Sequence, residues 1–290
     1  MMDNSYTINL RGQLTDLSRP RVMGILNATP DSFYEGSRVQ TEQDIARRAH
    51  EIVADGGDMI DVGAYSTRPG AVAVTEKEEM QRLRQALGIV RREQPEAIVS
   101  VDTFRPQVAR MAVEEYGADI INDVSGGNSC GLFGGTGGAQ DDGDQEMFRM
   151  VAALHVPYIY MSSANNIETM LMDFARKVQR LRSLGQKDII LDPGFGFGKT
   201  VEENYQVMAR LEQLGIMQLP LLVGVSRKSM IWKPLECTPE AALNGTTVLN
   251  TIALQKGAAI LRVHDVRQAV EAVRLVGAIN RHNDLTKYNV

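Results

Sequence analysis

The feature that most constrains the fold of this 290-residue chain is a regular alternation of short apolar runs with longer amphipathic stretches. Continuous apolar runs of this kind are typical of strands that are buried on both faces of a parallel sheet. They predict strands at Val22–Leu26, Met59–Val62, Ile98–Val101, Asp119–Ile121, Tyr158–Met161, Ile189–Leu191, Leu221–Val225 and Ile260–Val263.

The stretches between these runs have the apolar spacing of helices, most clearly at Glu42–Ala54, Glu76–Arg92, Ile167–Leu184 and Thr238–Gln255. The last one opens with an N-cap residue, Thr238, followed by a proline, which is favoured at the first helical position. Eight strands, each followed by a helix, favour a closed α/β barrel of the (β/α)8 type over an open sheet. The leading segment Tyr6–Leu14 predicts an N-terminal β-hairpin at the barrel bottom. No linker divides the chain, so we expect a single domain over residues 1–290.

One segment interrupts the alternation. Residues 130–144 form a glycine-rich insertion. A glycine-rich loop binds phosphate when a strand precedes it directly and a helix N-terminus follows it. Here the preceding strand ends earlier, at Ile121, and the flanking charges are negative. A surface insertion is therefore favoured over a ligand loop.

The bulk composition argues against several classes of protein. The net charge of −5 disfavours nucleic-acid binding, which requires a basic surface. Cys130 and Cys237 are too few and too far apart for a disulfide framework or a zinc site. No apolar run has the length of a membrane span, and residues 1–12 lack the apolar stretch of a signal peptide. We therefore expect a cytoplasmic enzyme with no membrane or nucleic-acid partner.

Polar residues stand at the carboxyl ends of nearly all the predicted strands, where barrels of this type bind their ligands. In strand order they are Asn27, Asp61, Asp102, Asn122 with Asp123, Ser162, Asp192, Ser226 with Arg227 and Lys228, and Arg262 with His264. Helix capping explains Asp61 and Asp123 as well as ligand binding does. It does not explain Lys228, Arg262 and His264, because cations are unfavourable beside the positive end of a helix. These three indicate an anion in the mouth of the barrel.

The residue types suggest which ligand groups would bind. Asp102, Asn122 and Asp192 together offer the donors and acceptors that an amino-pyrimidinone edge requires, whereas isolated buried carboxylates would be costly. The guanidinium of Arg262 can stack on a ring or bind a phosphate. Asn27 provides a neutral oxygen for a magnesium ion that is held mainly by phosphates.

Two further positions belong to the same rim. Ser229 stands at a predicted helix start, which suits a carboxylate. The segment Gly194–Thr200 invites comparison with nucleotide-binding loops, but Pro193 and Lys199 occupy positions where those motifs require glycine. We interpret it as a tight turn that shapes the site after Asp192.

These strand ends coincide with motifs that resemble those of the dihydropteroate synthases. Seven motifs follow in the order of that family, over about residues 22–280: Met23–Phe33, Asp61–Gly70, Ser100–Thr103, Ile121–Val124, Asp192–Lys199, Gly224–Ser229 and Arg262–Asp265. The resemblance implies a transferase of folate biosynthesis. In that reaction the arylamine of p-aminobenzoate displaces diphosphate from the 9-methylene carbon of a dihydropterin diphosphate. It also implies a magnesium cofactor and a homodimer.

The resemblance assigns roles to residues of this chain. The pterin would be bound by Asp102, Asn122, Asp192, Lys228 and Arg262. The diphosphate would be bound by Asn27, Thr67, Arg262 and His264, with magnesium on Asn27. p-Aminobenzoate would be framed by Phe195, Arg68, Pro69 and Ser229, with its carboxylate on Ser229. Lys228, Arg262 and His264 are the expected catalytic residues, and the loops Thr29–Gly36 and Ser66–Gly70 would close over the reacting centre.

The chain departs from the family pattern at two places. Ala64-Tyr65 stand where the family usually has Gly-Glu, and Met161-Ser162 stand where it has Met-His. Two alternative functions stay open. A pterin-dependent corrinoid methyltransferase would share the barrel and the acidic pterin residues but would not need the diphosphate set. A non-catalytic pterin-binding paralogue would be marked by damage to the first or second loop.

Overall fold

Parallel strands close into a barrel in this computed structural model, which describes residues 6–28, 38–65, 74–127 and 146–285. Two antiparallel strands, β1 (Thr7–Leu10) and β2 (Gln13–Asp16), precede the barrel. The barrel strands are β3 (Arg21–Asn27), β4 (Met59–Gly63), β5 (Ile98–Asp102), β6 (Ile120–Asp123), β7 (Tyr158–Met161), β8 (Ile189–Asp192), β9 (Leu221–Val223) and β10 (Ala258–Val263). They pair in chain order, and β10 closes the ring against β3. The predicted (β/α)8 barrel is confirmed.

Helices follow the strands and cover the outside of the barrel. They are α1 (Arg38–Ala54), α2 (Glu76–Glu93), α3 (Pro106–Tyr116), α4 (Glu146–Leu154), α5 (Ile167–Ser183), α6 (Val201–Ala209), α7 (Ser229–Trp232), α8 (Leu243–Gln255) and α9 (Val266–Leu285), with a 3₁₀ helix at Leu211–Met217. Capping boxes set the starts of two of them. At α2, Thr75 Oγ1 accepts from the backbone N of Glu78 (3.3 Å), and Glu78 Oε2 accepts from the backbone N of Thr75 (2.9 Å). Thr200 and Glu203 form the same pair at α6.

The hairpin β1–β2 lies at the bottom of the barrel, as predicted. The backbone N of Asn9 donates to Asp188 Oδ1 (3.0 Å), just before β8, and Arg11 Nε donates to Asp119 Oδ1 (2.6 Å), just before β6. Ile8, Leu10 and Leu17 are buried in one apolar cluster with the inward-facing residues Met23, Met59, Ile120, Ile159, Ile190, Leu222 and Ile260. This cluster fills the barrel from its amino end, so the carboxyl ends of the strands form its mouth.

The two-residue period of a strand explains why polar side chains enter this mouth. Successive side chains alternate between the barrel interior and the helix layer. A residue two positions after an interior apolar residue therefore also points inward. Interior apolar residues are followed at this spacing by polar ones in the pairs Met59 and Asp61, Ile120 and Asn122, Ile190 and Asp192, and Ile260 and Arg262.

Several predicted boundaries differ from the structure. Four strands, β3, β5, β6 and β8, extend into the polar residues that follow the apolar run, because the backbone ladder does not depend on side-chain polarity. In contrast, β9 ends at Val223, and the carbonyl of Val225 already accepts from the backbone N of Lys228 (3.1 Å) in a turn.

The predicted start of the last long helix before β10 is wrong. Residue Thr238 does not cap it, because α8 begins at Leu243. The residues before it form turns, in which the backbone N of Ala241 donates to the carbonyl of Thr238 (3.1 Å). The carbonyls of Pro239 and Glu240 accept from Arg227 Nη1 at 3.2 and 2.8 Å. These contacts take up carbonyl groups that a helix starting at Pro239 would use for its own hydrogen bonds.

Some sequence predictions lie outside the described residues. These are the insertion at 130–144, the loops Thr29–Gly36 and Ser66–Gly70, and therefore the site residues Thr67, Arg68 and Pro69. The extent of the single domain also stays a prediction. Among the helices that the structure describes, none combines the length and the apolar character needed to cross a membrane.

Candidate active site

Arg262 lies at the centre of a cluster of charged and polar side chains inside the mouth of the barrel. Its Nε donates to Asp61 Oδ2 (2.6 Å) and its Nη2 donates to Asp102 Oδ2 (2.7 Å). The amide of Asn122 donates from Nδ2 to the same oxygen of Asp61 (3.2 Å). The barrel thus gathers residues of β4, β5, β6 and β10 into one ion-pair cluster.

Burial changes the acidity of the carboxylates in this cluster. It raises the pKa of Asp102 to about 7; the positive charge of Arg262 opposes the change, and the negative charge of Asp61 adds to it. Burial also raises the pKa of Asp192, against the attraction of Lys228. Asp192 Oδ1 accepts from the backbone N of Gly194 (2.7 Å). Both carboxyl groups are therefore suited to accept hydrogen bonds from N–H groups of a ligand, which would replace lost solvation.

The ammonium of Lys228 lies at the same end of the barrel, where it interacts with the charges of Asp192 and Arg262. Its Nζ donates to the carbonyl of Phe195 and lies 4.7 Å from the centroid of the Phe197 ring. Burial lowers the pKa of Lys228 to about 8, against the attraction of Asp192. The ring of Phe195 is fully buried in the hydrophobic core, so in this structure its carbonyl rather than its ring contacts the site. The contact between Phe195 and p-aminobenzoate stays a prediction.

A glycine turn after β8 shapes this part of the site, as predicted. Gly194 and Gly196 have φ angles of 65° and 79°, a region that disfavours other residues. A Cβ atom at 194 would lie 2.4 Å from the carbonyl oxygen of Ser162, and one at 196 would lie 2.9 Å from Cδ of Lys228. The turn therefore brings its backbone against Lys228 only because these positions lack side chains.

His264 is held at the end of β10 by a serine. Its Nδ1 lies 3.1 Å from Ser226 Oγ, which also accepts from the backbone N of His264 (3.2 Å). Because this oxygen already accepts one N–H, its own proton is free to bond to Nδ1, which favours the tautomer with the proton on Nε2. Burial, helped by the nearby charge of Arg262, lowers the pKa of His264 to about 4. The ring is therefore neutral at pH 7 in the ligand-free protein, which corrects the expectation of a cation.

The predicted metal ligand Asn27 is the exposed last residue of β3, paired with Gly63 of β4. Over the described ranges, no group of three or more His, Cys, Asp or Glu side chains could hold a metal ion. This donor set fits an ion that takes most of its ligands from water and phosphate, as Mg²⁺ does. It does not fit a metal bound by the protein alone.

Ser229 is the first residue of α7, which confirms the predicted helix start. This helix has only four residues. Its dipole therefore contributes little, and a carboxylate here would depend on the hydroxyl and the backbone N–H.

The capping explanation is wrong for two acidic residues. Asp61 is fully buried and binds Arg262 and Asn122 rather than a helix N-terminus. Asp123 accepts from the backbone and hydroxyl of Ser125 and from the hydroxyl of Tyr158, so it organises the turn after β6. The position of Asp61 at a strand end did not by itself distinguish a member of this cluster from a helix cap. The spacing of two residues from the interior position Met59 is the signal that identifies it.

The two departures from the family pattern have structural partners of their own. The ring of Tyr65 packs edge-on against Phe104, with centroids 5.2 Å apart, and lies 5.6 Å from the guanidinium of Arg105. The hydroxyl of Ser162 is buried and donates to Asp173 Oδ2 (2.6 Å). Neither residue takes part in the ion-pair cluster around Arg262.

Comparisons with known proteins identify relatives of similar sequence and fold. A family model described as pterin binding enzyme matches residues 23–264. The dihydropteroate synthase of Escherichia coli K12 is 38% identical over 283 residues, which cover 92% of this chain and 94% of that protein. A crystal structure of the Xanthomonas albilineans dihydropteroate synthase with 4-aminobenzoic acid superposes with a TM-score of 0.82 and is 33% identical, covering 95% of this chain and 98% of the other. A dihydropteroate synthase from Coxiella burnetii in complex with pteroic acid gives a TM-score of 0.79 at 32% identity, covering 94% and 98% of the two chains.

Proposed function

The chain belongs to the family of pterin-binding enzymes and has the function of a dihydropteroate synthase, and we propose that the residues in the mouth of its barrel carry out this reaction. The substrates are 6-hydroxymethyl-7,8-dihydropterin diphosphate and p-aminobenzoate, and the products are 7,8-dihydropteroate and diphosphate. The observation that carries the assignment of residues is the ion-pair cluster around Arg262. It joins buried acceptors and donors at one end of the barrel.

In this proposal the pterin binds at Asp102, Asn122 and Asp192. The amino group and ring N–H of its amino-pyrimidinone edge donate to the two carboxylates. Both carboxyl groups have pKa values raised by burial, so hydrogen bonds from a neutral ligand offset a desolvation cost that the free site already bears. Lys228 exchanges its bond to the carbonyl of Phe195 for an acceptor of the pterin, and Arg262 stacks on the ring.

The chemical step is a displacement at the 9-methylene carbon of the pterin. The lone pair of the neutral arylamine forms the new C–N bond, the C–O bond to diphosphate breaks, and the amine proton passes to solvent. Negative charge grows on the departing oxygen, where Arg262 and the N–H of His264 stabilise it. An anion beside His264 also raises the pKa of its ring from about 4 and favours its cationic form. The remaining contribution is the positioning of two bound substrates.

Magnesium would be held by Asn27 together with the diphosphate. When bound, it would neutralise charge on the leaving group. This assignment is supported by the exposed position of Asn27 at the barrel mouth. The proposed p-aminobenzoate residues are Ser229, Phe195, Arg68 and Pro69, and Thr67 completes the diphosphate set.

The direct test is an assay of the purified protein with both substrates and magnesium, in which dihydropteroate is detected by mass spectrometry. Turnover that requires all three components supports the proposal. The Asp192→Asn variant should lose pterin affinity, because it replaces an acceptor by a donor facing ligand N–H groups. The absence of product with wild-type protein would refute the assignment of the site.

We also propose that the protein is a homodimer formed through α8 and α9. These neighbouring helices expose apolar side chains, at Val248 on α8 and at Leu275 and Ile279 on one face of α9. Leu275 and Ile279 are 67% and 55% exposed and lie one helical turn apart. Together they form an apolar patch that a monomer would expose to water. Light scattering should give twice the chain mass, and Leu275→Glu should shift it to the monomer. A monomeric wild-type protein would refute the proposal.

We propose a cytoplasmic location from the state of one cysteine. Cys237, which lies within the described residues, is a free thiol, as is usual in reducing compartments. Cell fractionation with an antibody against the protein tests this location, and recovery outside the cytoplasmic fraction would contradict it.

A further inference from the structure

Asp61 is the most deeply placed member of the ion-pair cluster. Its side chain is 0% exposed, whereas those of Arg262 and Asp102 are 18% and 21% exposed. A carboxylate at this depth has lost its hydration and must be stabilised by donors of the protein. The proposed reaction assigns no role to Asp61, although the fold places it beside three of the residues that do have one.

A single oxygen of Asp61 connects two of the proposed pterin ligands. Oδ2 accepts from Arg262 Nε (2.6 Å) and from Asn122 Nδ2 (3.2 Å). The contact to Arg262 is made by the nitrogen nearest the side-chain stem, so it fixes the direction of the whole planar guanidinium. Asp61 therefore determines where the outer end of Arg262 points.

The outer end of the guanidinium contacts a group that the ligand also needs. Arg262 Nη2 donates to Asp102 Oδ2 (2.7 Å) in the ligand-free protein. A pterin that donates N–H groups to Asp102 competes for the same carboxylate. The contact at Asp102 is therefore the one that a bound pterin can weaken or displace, whereas the contact at Asp61 lies deeper and faces no such competition.

We propose that Asp61 is a positioning residue that retains Arg262 through Nε while the pterin takes over Asp102. This inference rests on the proposed function of the site. Without the charge of Asp61, Asp102 is the remaining ion-pair partner of Arg262 among the described residues. The guanidinium then binds Asp102 more tightly and competes with the ligand. Asp61 acts through Arg262 and does not touch the substrate.

The test is a double-mutant cycle between Asp61→Asn and Arg262→Gln. The first variant keeps the size of the side chain and removes its charge. The probe is 6-hydroxymethylpterin, which lacks the diphosphate, titrated calorimetrically into the ligand-free protein. We expect Asp61→Asn to weaken binding by about tenfold or more in the wild-type background, and by less than about twofold in the Arg262→Gln background.

Asp123→Asn is the matched control. Asp123 is also fully buried, on strand β6 beside Asn122, but its hydrogen bonds go to Ser125, Gly127 and Tyr158. This variant should lower the urea midpoint of unfolding without weakening the binding of 6-hydroxymethylpterin. If Asp61→Asn does not fold, Asp61→Ser, whose smaller side chain leaves room for water, is titrated in both backgrounds in the same way.

Three results would overturn the inference. Pterin affinity could be unchanged in the Asp61 variant, the loss could be equal in both Arg262 backgrounds, or Asp123→Asn could weaken binding as much. The proposed function fails separately, when wild-type protein forms no dihydropteroate. An active wild-type enzyme with unchanged pterin affinity in Asp61→Asn overturns the positioning role alone.

Discussion

Replacing Asp102 by asparagine should stabilise the ligand-free protein and at the same time remove its activity. Burial raises the pKa of this carboxyl group from 3.8 to about 7, even though Arg262 donates to it. The folded protein therefore holds a proton on Asp102 at pH values where the unfolded chain has released it. Between about pH 4 and pH 7 the folded state binds more protons than the unfolded state, so stability falls as pH rises through this range.

The size of the effect follows from the two pKa values. One pKa unit corresponds to about 1.4 kcal/mol, so a change from 3.8 to about 7 sets an upper limit of about 4 kcal/mol for the cost of ionised Asp102 above pH 7. Asparagine keeps an acceptor for Arg262 Nη2 but loses the attraction between opposite charges. We therefore expect a net gain of about 2 kcal/mol at pH 8 and a smaller gain at pH 5.

Equilibrium unfolding in urea, followed by circular dichroism without ligands, measures this difference at pH 5 and pH 8. Asp123→Asn is the control, because both oxygens of Asp123 already accept hydrogen bonds, at 2.7 Å from the backbone N of Ser125 and at 2.6 Å from the hydroxyl of Tyr158. An asparagine at this position places its NH2 group, a donor, against one of these two donors, and it should destabilise the protein by about 1–3 kcal/mol. An Asp102→Asn variant that is less stable than wild type at pH 8, or whose gain is the same at both pH values, would refute the reasoning. Its turnover should be at least about 100-fold lower, because it offers a donor where the pterin needs an acceptor.

Three further outcomes are expected. Magnesium titrated alone into the free protein should give little heat, because Asn27 is its one proposed protein ligand; micromolar binding would contradict this. Lys228→Ala should lower turnover by about 100-fold or more with the fold intact, because it removes the cation that acts most strongly on Asp192; circular dichroism and steady-state kinetics check both parts, and near-normal turnover would show that the site is misplaced. Gly196→Ala and Gly117→Ala should each cost about 1–2 kcal/mol of stability, since both glycines have positive φ. Only the first should also lower turnover, because its Cβ would lie 2.9 Å from Cδ of Lys228 whereas a Cβ at 117 meets nothing within 4 Å; equal kinetics in the two variants would contradict this.

The fold and the clustering of polar residues at one end of the barrel were predictable from local patterns. A run such as Ile120–Asp123 is apolar enough to be a buried strand, and its two-residue period places Asn122 inside the barrel. The same period applies to Ile190 with Asp192 and to Ile260 with Arg262. A barrel gathers the carboxyl ends of its strands at one face whatever the helices between them are. Order along the chain was therefore enough to bring these residues together.

Tertiary structure alone decided the charge state and the partners of the site. Arg262 is 201 positions from Asp61 and 160 positions from Asp102, so no local pattern specifies either ion pair. The neutral ring of His264 results from burial and from the nearby charge of Arg262, which are properties of the assembled barrel. The start of α8 was mispredicted for the same reason, because Arg227 binds the carbonyls of Pro239 and Glu240 across the turn. Backbone periodicity relates residues that are only a few positions apart, so it can be recognised from the sequence. Desolvation and ion pairing depend on which groups meet in space, and they are determined only when the ring of strands closes.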